Sequence, residues 1–222
     1  MSKIDWENII EPEKISALIA APIIEALEKG QRVLWFVPGG SAISLTVLAA
    51  KKISAHNHNN LTVTLTDERY GEVGHPDSNW QQMRDAGFNL TGAKFIPVLT
   101  GLDFLETARV FNSSLVEAIK QADYIFGFFG IGPDGHTAGI LPNSPAVKSL
   151  ELVSAYDAGN FRRITITPPA IKKIDEIMAF AQGESKWPTL KKLNMEIDAN
   201  DQPAQILKQA KRLTIFSDYK KI

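Results

Sequence analysis

The sequence predicts an α/β fold: a single domain with a mainly parallel, twisted sheet and helices on both faces, a Rossmann-like open three-layer sandwich. Apolar runs rich in β-branched and aromatic residues alternate with segments of helical periodicity, which is the pattern of βα units. Hydrophobic residues make up 44% and charged residues 22% of the chain, as in globular proteins. No repeat, linker or low-complexity tract interrupts the 222 residues, so we expect one domain over 1–222.

The first predicted element is a helix over 12–29 with its apolar residues on one side. Pro22 lies inside it and predicts a kink or two abutting helices, and Gly30 ends it. Later helices are predicted after PGGS, over 103–121, from about 184 and from about 202. The predicted strands are RVLWFV, LTVTLT, YIFGFF, LELVSAY, RITIT, IMAFAQ and RLTIFS.

Charge and composition exclude several classes of function. The 24 basic and 25 acidic residues give a net charge of −1, so no global field draws the chain to nucleic acid or to an anionic membrane. Without cysteine, the chain has no disulfide, thiolate metal site or cysteine nucleophile. The N-terminus lacks an apolar signal core, and no apolar run is long enough to span a bilayer. We therefore expect a cytoplasmic protein, a monomer or weak homodimer, that binds a small molecule.

Three loops that follow predicted strands carry most of the candidate functional residues, because ligands of open α/β sheets bind beyond the carboxyl ends of the strands. The first loop is PGGS. The backbone N–H groups of Gly39 and Gly40 can approach an anion there, and the hydroxyl of Ser41 adds a donor. In the simpler interpretation Ser41 is an N-cap and the glycines only turn the chain. The motif alone favours neither interpretation.

The second loop, DERYGEVGHPDSN, is read as a long polar connection after the strand LTVTLT. Asp67 can accept a hydrogen bond from a substrate hydroxyl or a water, and Arg69 can hold a phosphate or a developing oxyanion. Asn79 lies at a predicted helix start, where an N-cap is the simpler role. His75 is interpreted as a surface residue. A solvated, ion-paired loop is the alternative for the whole segment.

The third loop, GIGPDGHTAGILP, has glycines in the spacing GxGxxG of dinucleotide sites. That interpretation is poor, because His136 follows the last glycine directly and Asp134 puts a negative charge where pyrophosphate would lie. A histidine held by glycine turns beside an aspartate can instead take a proton from water, since its unperturbed pKa is ~6.5. The alternative is that Asp134 caps the next turn and His136 packs beneath it.

Two basic residues on later loops can complete an anion pocket. Arg163 lies beside the strand ITIT, and Lys186 lies in GESK, where a glycine turn meets a helix start. Each is a surface cation in the simpler interpretation. His56 and His58 form an HxH pair in a polar connector, but no third ligand can be named, so we expect solvated side chains and no metal site.

Taken together, GGS, DERY…DSN and GIGPDGHTAGILP resemble the 6-phosphogluconolactonase family, which shares a superfamily with glucosamine-6-phosphate deaminase. The similarity continues through RRITITPPAI, AFAQGESK and PAQILKQAKRLTIFSD, so it covers nearly the whole chain in order. The deaminase branch has a glutamate shortly after DGH, and none lies between His136 and Pro142. DER rather than DEY also points to the lactonase branch. Leu141 stands where an aromatic residue is usual, and GGSAI replaces GGSTP, which bears on phosphate affinity.

The resemblance implies hydrolysis of 6-phosphoglucono-δ-lactone to 6-phosphogluconate in the oxidative pentose phosphate pathway, without a metal or organic cofactor. It implies that His136 activates water while Asp134 or Asp67 holds its imidazole or orders the substrate hydroxyls. Arg69 and backbone N–H groups near Gly132 are the expected oxyanion donors. The expected substrate- and phosphate-binding residues are Gly39, Gly40, Ser41, Arg69, Asn79, Gly132, Arg163 and Lys186.

Three other functions stay open at this point. The nearest is glucosamine-6-phosphate deaminase/isomerase, against which the missing glutamate counts. A non-catalytic sugar-phosphate-binding regulatory domain would keep the pocket, although such domains often lose the catalytic residues and this chain retains Asp134 and His136. A nicotinamide enzyme rests on GxGxxG alone.

Overall fold

The computed structural model describes residues 3–220. The strands in this range are β1 (Ile4–Glu7), β2 (Val33–Val37), β3 (Leu61–Leu65), β4 (Asp67–Arg69), β5 (Lys94–Ile96), β6 (Tyr124–Gly130), β7 (Val153–Asp157), β8 (Arg162–Ile166), β9 (Glu176–Phe180) and β10 (Arg212–Phe216). The α-helices are α1 (Pro12–Glu28), α2 (Ile43–Ile53), α3 (Asn79–Asp85), α4 (Phe104–Gln121), α5 (Pro168–Ile171) and α6 (Trp187–Leu193). Short 3-10 helices span Gly40–Ala42, Pro145–Lys148, Glu184–Lys186 and Pro203–Gln209.

A 7-stranded sheet in the order β1–β10–β9–β6–β2–β3–β5 forms the centre of the molecule. Every neighbouring pair in it is parallel. The central strand β2 reads VLWFV and is buried along its whole length, as expected for a parallel sheet covered on both faces. These observations confirm the predicted mainly parallel α/β fold.

The strand order assigns the helices to two faces of this sheet. The connections through α1, α2 and α3 run along the sheet from β1 towards β5, and those through α4, α5 and α6 run back. Parallel crossovers are right-handed, so the two sets of helices lie on opposite faces. In agreement, α1 packs against α2.

Local interactions define the end of α1 and the start of α4. Helix α1 is continuous through Pro22, so it is not divided into two abutting helices. Gly30 ends it with a φ of 75°, and its N–H donates to Leu27 O at 2.9 Å. Helix α4 follows Asp103, whose carboxylate accepts from Glu106 N at 3.0 Å and so satisfies one of the unpaired first-turn donors.

Some elements differ from the expectations. The short edge strands β1 and β5 are not predicted, because three or four residues carry too little periodicity to be recognised. The helix expected from about 202 is a 3-10 helix, Pro203–Gln209. The helix expected from about 184 begins as a 3-10 turn and continues as α6.

A second, 3-stranded antiparallel sheet in the order β4–β8–β7 is absent from the predicted architecture. DER, expected to begin a polar loop, is strand β4, in which Asp67 pairs with Thr165 and Arg69 with Arg163. Asp67 is 6% and Glu68 1% exposed. Charged residues are depleted in strands and are buried only where other parts of the chain supply partners, so local sequence gives no signal for this strand.

Candidate active site

The carboxyl ends of β2 and β6 meet where the order of the strands reverses. From β2 the chain continues to β3 on one side, whereas β6, on the other side of β2, leads away to β9. A switch point of this kind leaves a crevice for ligands. Here it holds a cavity of about 340 Å³. The sequence-predicted residues in its walls are Gly39, Gly40, Ser41, Asp67, Arg69, Asn79, Gly132, His136, Arg163 and Lys186.

The loop after β6 folds back on itself and brings His136 into the cavity wall. The N–H of Gly132 donates to His136 O at 2.9 Å, and the N–H of Gly135, with a φ of 87°, donates to Gly132 O at 3.1 Å. A Cβ on Gly132 would overlap the imidazole and touch the carboxylate of Asp134. The glycine spacing therefore makes room for a histidine. The N–H of Gly132 is engaged within the loop, and an oxyanion contact from a backbone N–H near Gly132 stays a prediction.

Asp134 orients the imidazole of His136. Its Oδ1 lies 2.5 Å from His136 Nδ1 and also accepts the backbone N–H of His136 at 3.1 Å. Partial burial opposes ionisation of Asp134, but the hydrogen bonds and charge of His136 outweigh it and hold the pKa of Asp134 below its ordinary value. An ionised Asp134 accepts a hydrogen bond from Nδ1–H, so Nε2 of the neutral imidazole carries the lone pair. No side chain or carbonyl among residues 3–220 hydrogen-bonds to that Nε2.

The glycine loop after β2 lets other groups come close to its backbone. Gly40 has a φ of 64°, and a Cβ on Gly39 would overlap the amide of Asn79. Ser41 is not an N-cap, because Gly39 precedes the 3-10 helix Gly40–Ala42 and no side chain caps it. Ala42, where the resemblance leads one to expect threonine, is 1% exposed and outside the cavity wall. The effect of this replacement on phosphate affinity stays a prediction.

Asn79 lies between two walls of the cavity and is not the N-cap of α3. Ser78 is the cap, and its hydroxyl accepts from Gln81 N at 3.1 Å. The Asn79 amide Nδ2 instead donates to Asp67 O at 2.9 Å, while its side chain lies against Gly39. The simpler interpretation from sequence is thus wrong for this residue, and the side chain connects β4 with the glycine loop.

The pairing of β4 with β8 brings Asp67, Arg69 and Arg163 to one wall. Arg163 Nη1 lies 3.4 Å from Asp67 Oδ2. The Nε atom of Arg163 is buried and has no hydrogen-bond partner in the part of the chain that the structure describes. Burial raises the pKa of Asp67, although the nearby charges of Arg163 and His136 act to lower it. This wall offers guanidinium donors beside a carboxylate acceptor.

The side chain of Arg69 is held from two sides. Its Nη1 donates to Asp77 O at 3.2 Å, and its guanidinium carbon lies 4.7 Å from the centre of the Phe161 ring. A planar guanidinium held in this way keeps its remaining donors in a fixed direction. Loop 70–77, for which a solvated loop was the alternative interpretation, therefore supports the cavity wall by holding Arg69 through the carbonyl of Asp77.

Lys186 contributes a third cation to the cavity, beside Arg69 and Arg163. It lies on the 3-10 turn after Gly183, whose N–H donates to the carboxylate of Asp218 at 3.1 Å. Burial lowers the pKa of Lys186, and the charge of Asp218 opposes this shift. The cavity therefore has an excess of positive charge for an anionic ligand.

Two residues near the site carry no recognised signal in the sequence. Ala138 lines the cavity with a φ of 50°, a conformation uncommon for residues other than glycine. The neighbouring Gly139 is held by Thr165, whose hydroxyl accepts its N–H at 3.0 Å, and by the hydroxyl of Tyr156, which donates to its carbonyl at 2.5 Å. Glu68, behind the cavity wall, is the other. Neither an alanine nor a glutamate in a predicted loop indicates such a position by residue type, because the position depends on neighbours that are distant along the chain.

The other histidines lie outside the cavity. His75 Nε2 is 3.0 Å from Arg69 O. His58, expected to be solvated, lies with Nδ1 2.8 Å from His56 O and Nε2 2.9 Å from Thr91 O. Within residues 3–220 no three His, Cys, Asp or Glu side chains converge on a point where a metal ion could bind. In the same range, no helix has the length and apolar character needed to cross a membrane.

Comparison with known proteins gives a consistent set of relatives. The family model described as glucosamine-6-phosphate isomerases/6-phosphogluconolactonase matches residues 12–216. A 6-phosphogluconolactonase of Bos taurus is 25% identical over 93% of this chain and 88% of its own length. One of Pseudomonas putida is 28% identical over 88% of this chain and 86% of its own. A crystal structure of a 6-phosphogluconolactonase from Shewanella baltica shares the fold, with a TM-score of 0.83, 21% identity and 97% of each chain covered.

Proposed function

Because the chain belongs to the glucosamine-6-phosphate isomerase/6-phosphogluconolactonase family, we propose that it hydrolyses 6-phosphoglucono-δ-lactone to 6-phosphogluconate. One observation carries the proposal: Asp134 holds His136 at 2.5 Å in the wall of a cavity that also contains Arg69, Arg163 and Lys186. A base directed at water and an anion site thus lie within one small-molecule cavity. The relatives of comparable length from Bos taurus and Pseudomonas putida are lactonases by name, which supports the same reaction.

The phosphate is assigned to the side of the cavity formed by the glycine loop and Lys186. Backbone N–H groups of Gly39, Gly40 and Ser41 precede a helix, where the partial positive charge favours an anion. Lys186 lines the same cavity and supplies a cation for the phosphate. Arg69 and Arg163 lie with Asp67 on the wall built from the second sheet, where they can bind sugar hydroxyls and the lactone group. The ring of the substrate then lies between these two walls, next to His136.

In the first chemical step, His136 acts as the general base. Its Nε2 takes a proton from a water molecule, and the hydroxide formed attacks the lactone carbonyl carbon. Asp134 stabilises the resulting imidazolium through the Nδ1–H bond. A positioned base of this kind contributes on the order of 10²–10⁴-fold to the rate.

In the second step, the tetrahedral intermediate collapses. Its negatively charged oxygen accepts hydrogen bonds from a guanidinium, for which Arg69 and Arg163 are the assigned donors. The bond between the former carbonyl carbon and the ring oxygen breaks. That oxygen takes the proton from His136 and becomes the hydroxyl group of the open product, while the new carboxylic acid ionises and releases one proton to solvent. The steps sum to lactone plus water giving carboxylate plus a proton.

The deaminase alternative lacks a residue in the expected place. Between His136 and Pro142 the chain reads TAGIL, so no carboxylate follows the histidine. Thr137 Oγ1 donates to Gly130 O at 2.9 Å, and Gly139 lies against Thr165 and Asp67, which leaves this segment folded onto the sheet. Ring opening and proton transfer on an amino sugar would therefore need an acid from elsewhere.

The reaction is tested by acid release from freshly prepared 6-phosphogluconolactone at mildly acidic pH, where spontaneous opening is slow. Glucosamine 6-phosphate is run in parallel with an assay for ammonia. We expect strong acceleration of lactone opening and no ammonia. Release of ammonia would select the deaminase. Lactone opening at the background rate, with 6-phosphogluconate still bound, would select the regulatory domain.

A further inference from the structure

Glu68 is a buried carboxylate that the proposed mechanism does not use. Side chains alternate along a strand, so Asp67 and Arg69 of β4 line the cavity while Glu68 points to the other face. It is 1% exposed, and no lysine or arginine within residues 3–220 forms an ion pair with it. A buried charge without a cation needs several hydrogen bonds to be tolerated.

Four hydrogen bonds satisfy the two oxygens of Glu68. Oε1 accepts from the backbone N–H groups of Arg69 at 2.8 Å and Asn79 at 2.6 Å. Oε2 accepts from the hydroxyl of Ser78 at 2.9 Å and from Trp80 N at 3.0 Å. Burial raises the pKa of Glu68, and these four bonds oppose the rise. Three of the partners are backbone N–H groups, which only donate, and at least one of them faces each oxygen, so a group that accepts at both positions fits the site.

These bonds fix the start of α3 to strand β4. The N–H groups of Asn79 and Trp80 are in the first helical turn and have no partner within the helix. Ser78 caps the next N–H, that of Gln81, so Glu68 and Ser78 together satisfy the first turn. The carboxylate also favours the positive end of the helix. The two ends of loop 70–77 are thereby joined at its base.

The same contacts extend to the opposite wall of the cavity. The backbone of Asn79 is held by Glu68, and its side-chain amide donates to Asp67 O and occupies the space beside Gly39. Because this side chain fills the space beside Gly39, a shift of Asn79 would change its contact with the glycine loop directly. Glu68 also holds the N–H of Arg69, whose side chain lines the cavity. One buried carboxylate thus holds Arg69 of one wall directly and is linked to the glycine loop of the other through Asn79.

We propose that Glu68 is a positioning residue that sets the spacing between the Arg69 wall and the glycine loop, and that it acts through Asn79. The inference rests on the proposed function, since the spacing is that required by the sugar phosphate. Glu68 itself does not line the cavity.

The test begins with the substitution Glu68→Gln, which keeps the volume but replaces one acceptor oxygen by an NH₂ group facing two donors. Glu68→Asp keeps the charge on a shorter side chain, and Glu72→Gln removes an exposed carboxylate from the same loop as a matched control. The affinity for 6-phosphogluconate, kcat and KM are measured well below the Tm of each protein. We expect Glu68→Gln to lower kcat/KM roughly 10- to 100-fold and to weaken 6-phosphogluconate binding. Glu68→Asp should recover part of the loss, and Glu72→Gln should leave each value unchanged.

A cycle with Asn79→Ala separates positioning from stability. If Glu68 acts through Asn79, the effect of Glu68→Gln on 6-phosphogluconate affinity becomes several-fold smaller in the Asn79→Ala background, because contacting residues are not additive. A lowered Tm with unchanged affinity and kcat/KM, or fully additive effects, would overturn the inference. Where Glu68→Gln does not fold, Glu68→Asp replaces it in the cycle.

The proposed function can fail without deciding this inference. A wild-type chain that binds 6-phosphogluconate but opens no lactone would contradict the hydrolysis. The affinities of the wild type, Glu68→Gln, Asn79→Ala and the double variant would still complete the cycle. A wild-type chain that does neither would overturn both.

Discussion

Histidines lie in three loops of this protein, and the loops of His136 and His58 surround the imidazole in opposite ways. In the loop after β6, His136 has a carboxylate at Nδ1, at 2.5 Å, and lies in the wall of a cavity. In the connector between α2 and β3, both ring nitrogens of His58 face backbone carbonyls, at 2.8 and 2.9 Å. Both ring nitrogens of His58 thus face backbone groups of the protein, whereas Nε2 of His136 has no such partner among residues 3–220.

The difference comes from the position of each loop in the sheet. The loop of His136 follows the carboxyl end of a strand at the switch point, where a crevice forms. The loop of His58 precedes β3 and so lies at the amino ends of the strands. The contact of His58 with Thr91 O links this loop to segment 87–92. Residue type alone does not indicate a base. The two histidines differ in the groups that face their ring nitrogens and in whether their loop lies at the carboxyl or the amino ends of the strands.

The largest effect is expected from His136→Ala. Loss of the base should lower kcat roughly 10²–10⁴-fold with little change in KM, because the cations that bind the phosphate are untouched. Steady-state kinetics on the lactone measure both constants. The matched control His58→Ala should keep wild-type kcat. Equal losses in the two variants would contradict the comparison.

A smaller loss is expected from Asp134→Asn. The amide can donate to Nδ1 and so moves the proton to Nε2, which can then no longer accept one from water. We expect kcat to fall on the order of 10²-fold while binding of 6-phosphogluconate persists. An unchanged kcat would show that Asp134 does not set the tautomer.

Asp134 should also make stability depend on pH. Its pKa is lower in the folded protein than in the unfolded chain, where it is ~3.9. Its ionised form therefore contributes stability that is complete above the unfolded pKa and is lost as pH falls through the folded pKa. The Tm of the wild type should exceed that of Asp134→Asn near neutral pH, and the gap should close in acid. A Tm difference that does not change with pH would contradict this link between the ionisation of Asp134 and stability.

Lys186→Ala should affect binding more than chemistry. Removing a charge-assisted contact to phosphate should raise KM roughly 10-fold, while kcat changes less than in the His136 variant. Lys191→Ala, an exposed position of α6, the helix that follows the turn of Lys186, is the control and should leave KM unchanged. If both lysines change KM alike, a general field and not a site attracts the substrate.

The smallest effect is expected from His58→Ala on stability. The variant loses the contacts of His58 with His56 O in the same connector and with Thr91 O in segment 87–92. A hydrogen bond of this kind is worth about 1 kcal/mol, so the Tm should fall by a few degrees. Thermal unfolding measures this change. A lowered kcat instead would give His58 a role in the reaction that its contacts do not suggest.

The sequence was informative where function depends on local pattern. The βα alternation predicts the parallel sheet, and the rule that ligands bind at carboxyl ends predicts that PGGS, DER and GPDGH meet. The structure brings their residues to one cavity. The resemblance carried by these motifs is confirmed by the family match over residues 12–216. The roles of the individual residues stay predictions until the variants are measured.

The sequence failed where a residue's role depends on partners far along the chain. DER looked like a polar loop, yet Asp67 is buried because β8 supplies Arg163, 96 residues away. Asn79 looked like an N-cap, but Ser78 fills that position and releases the amide to Asp67 O. No local periodicity encodes such pairings, since they arise only when two distant segments lie side by side.

By itself, then, the sequence determined the fold class, the glycine turns and the presence of DGH, because these depend on neighbours within a few residues. Only the tertiary structure decided that Gly132 leaves room for the imidazole and that Asp134 holds Nδ1. It alone decided that Glu68 lies buried behind the cavity with four donors around it. The physical reason is that hydrogen bonds and desolvation depend on distances of a few ångströms between segments whose separation along the chain does not fix them.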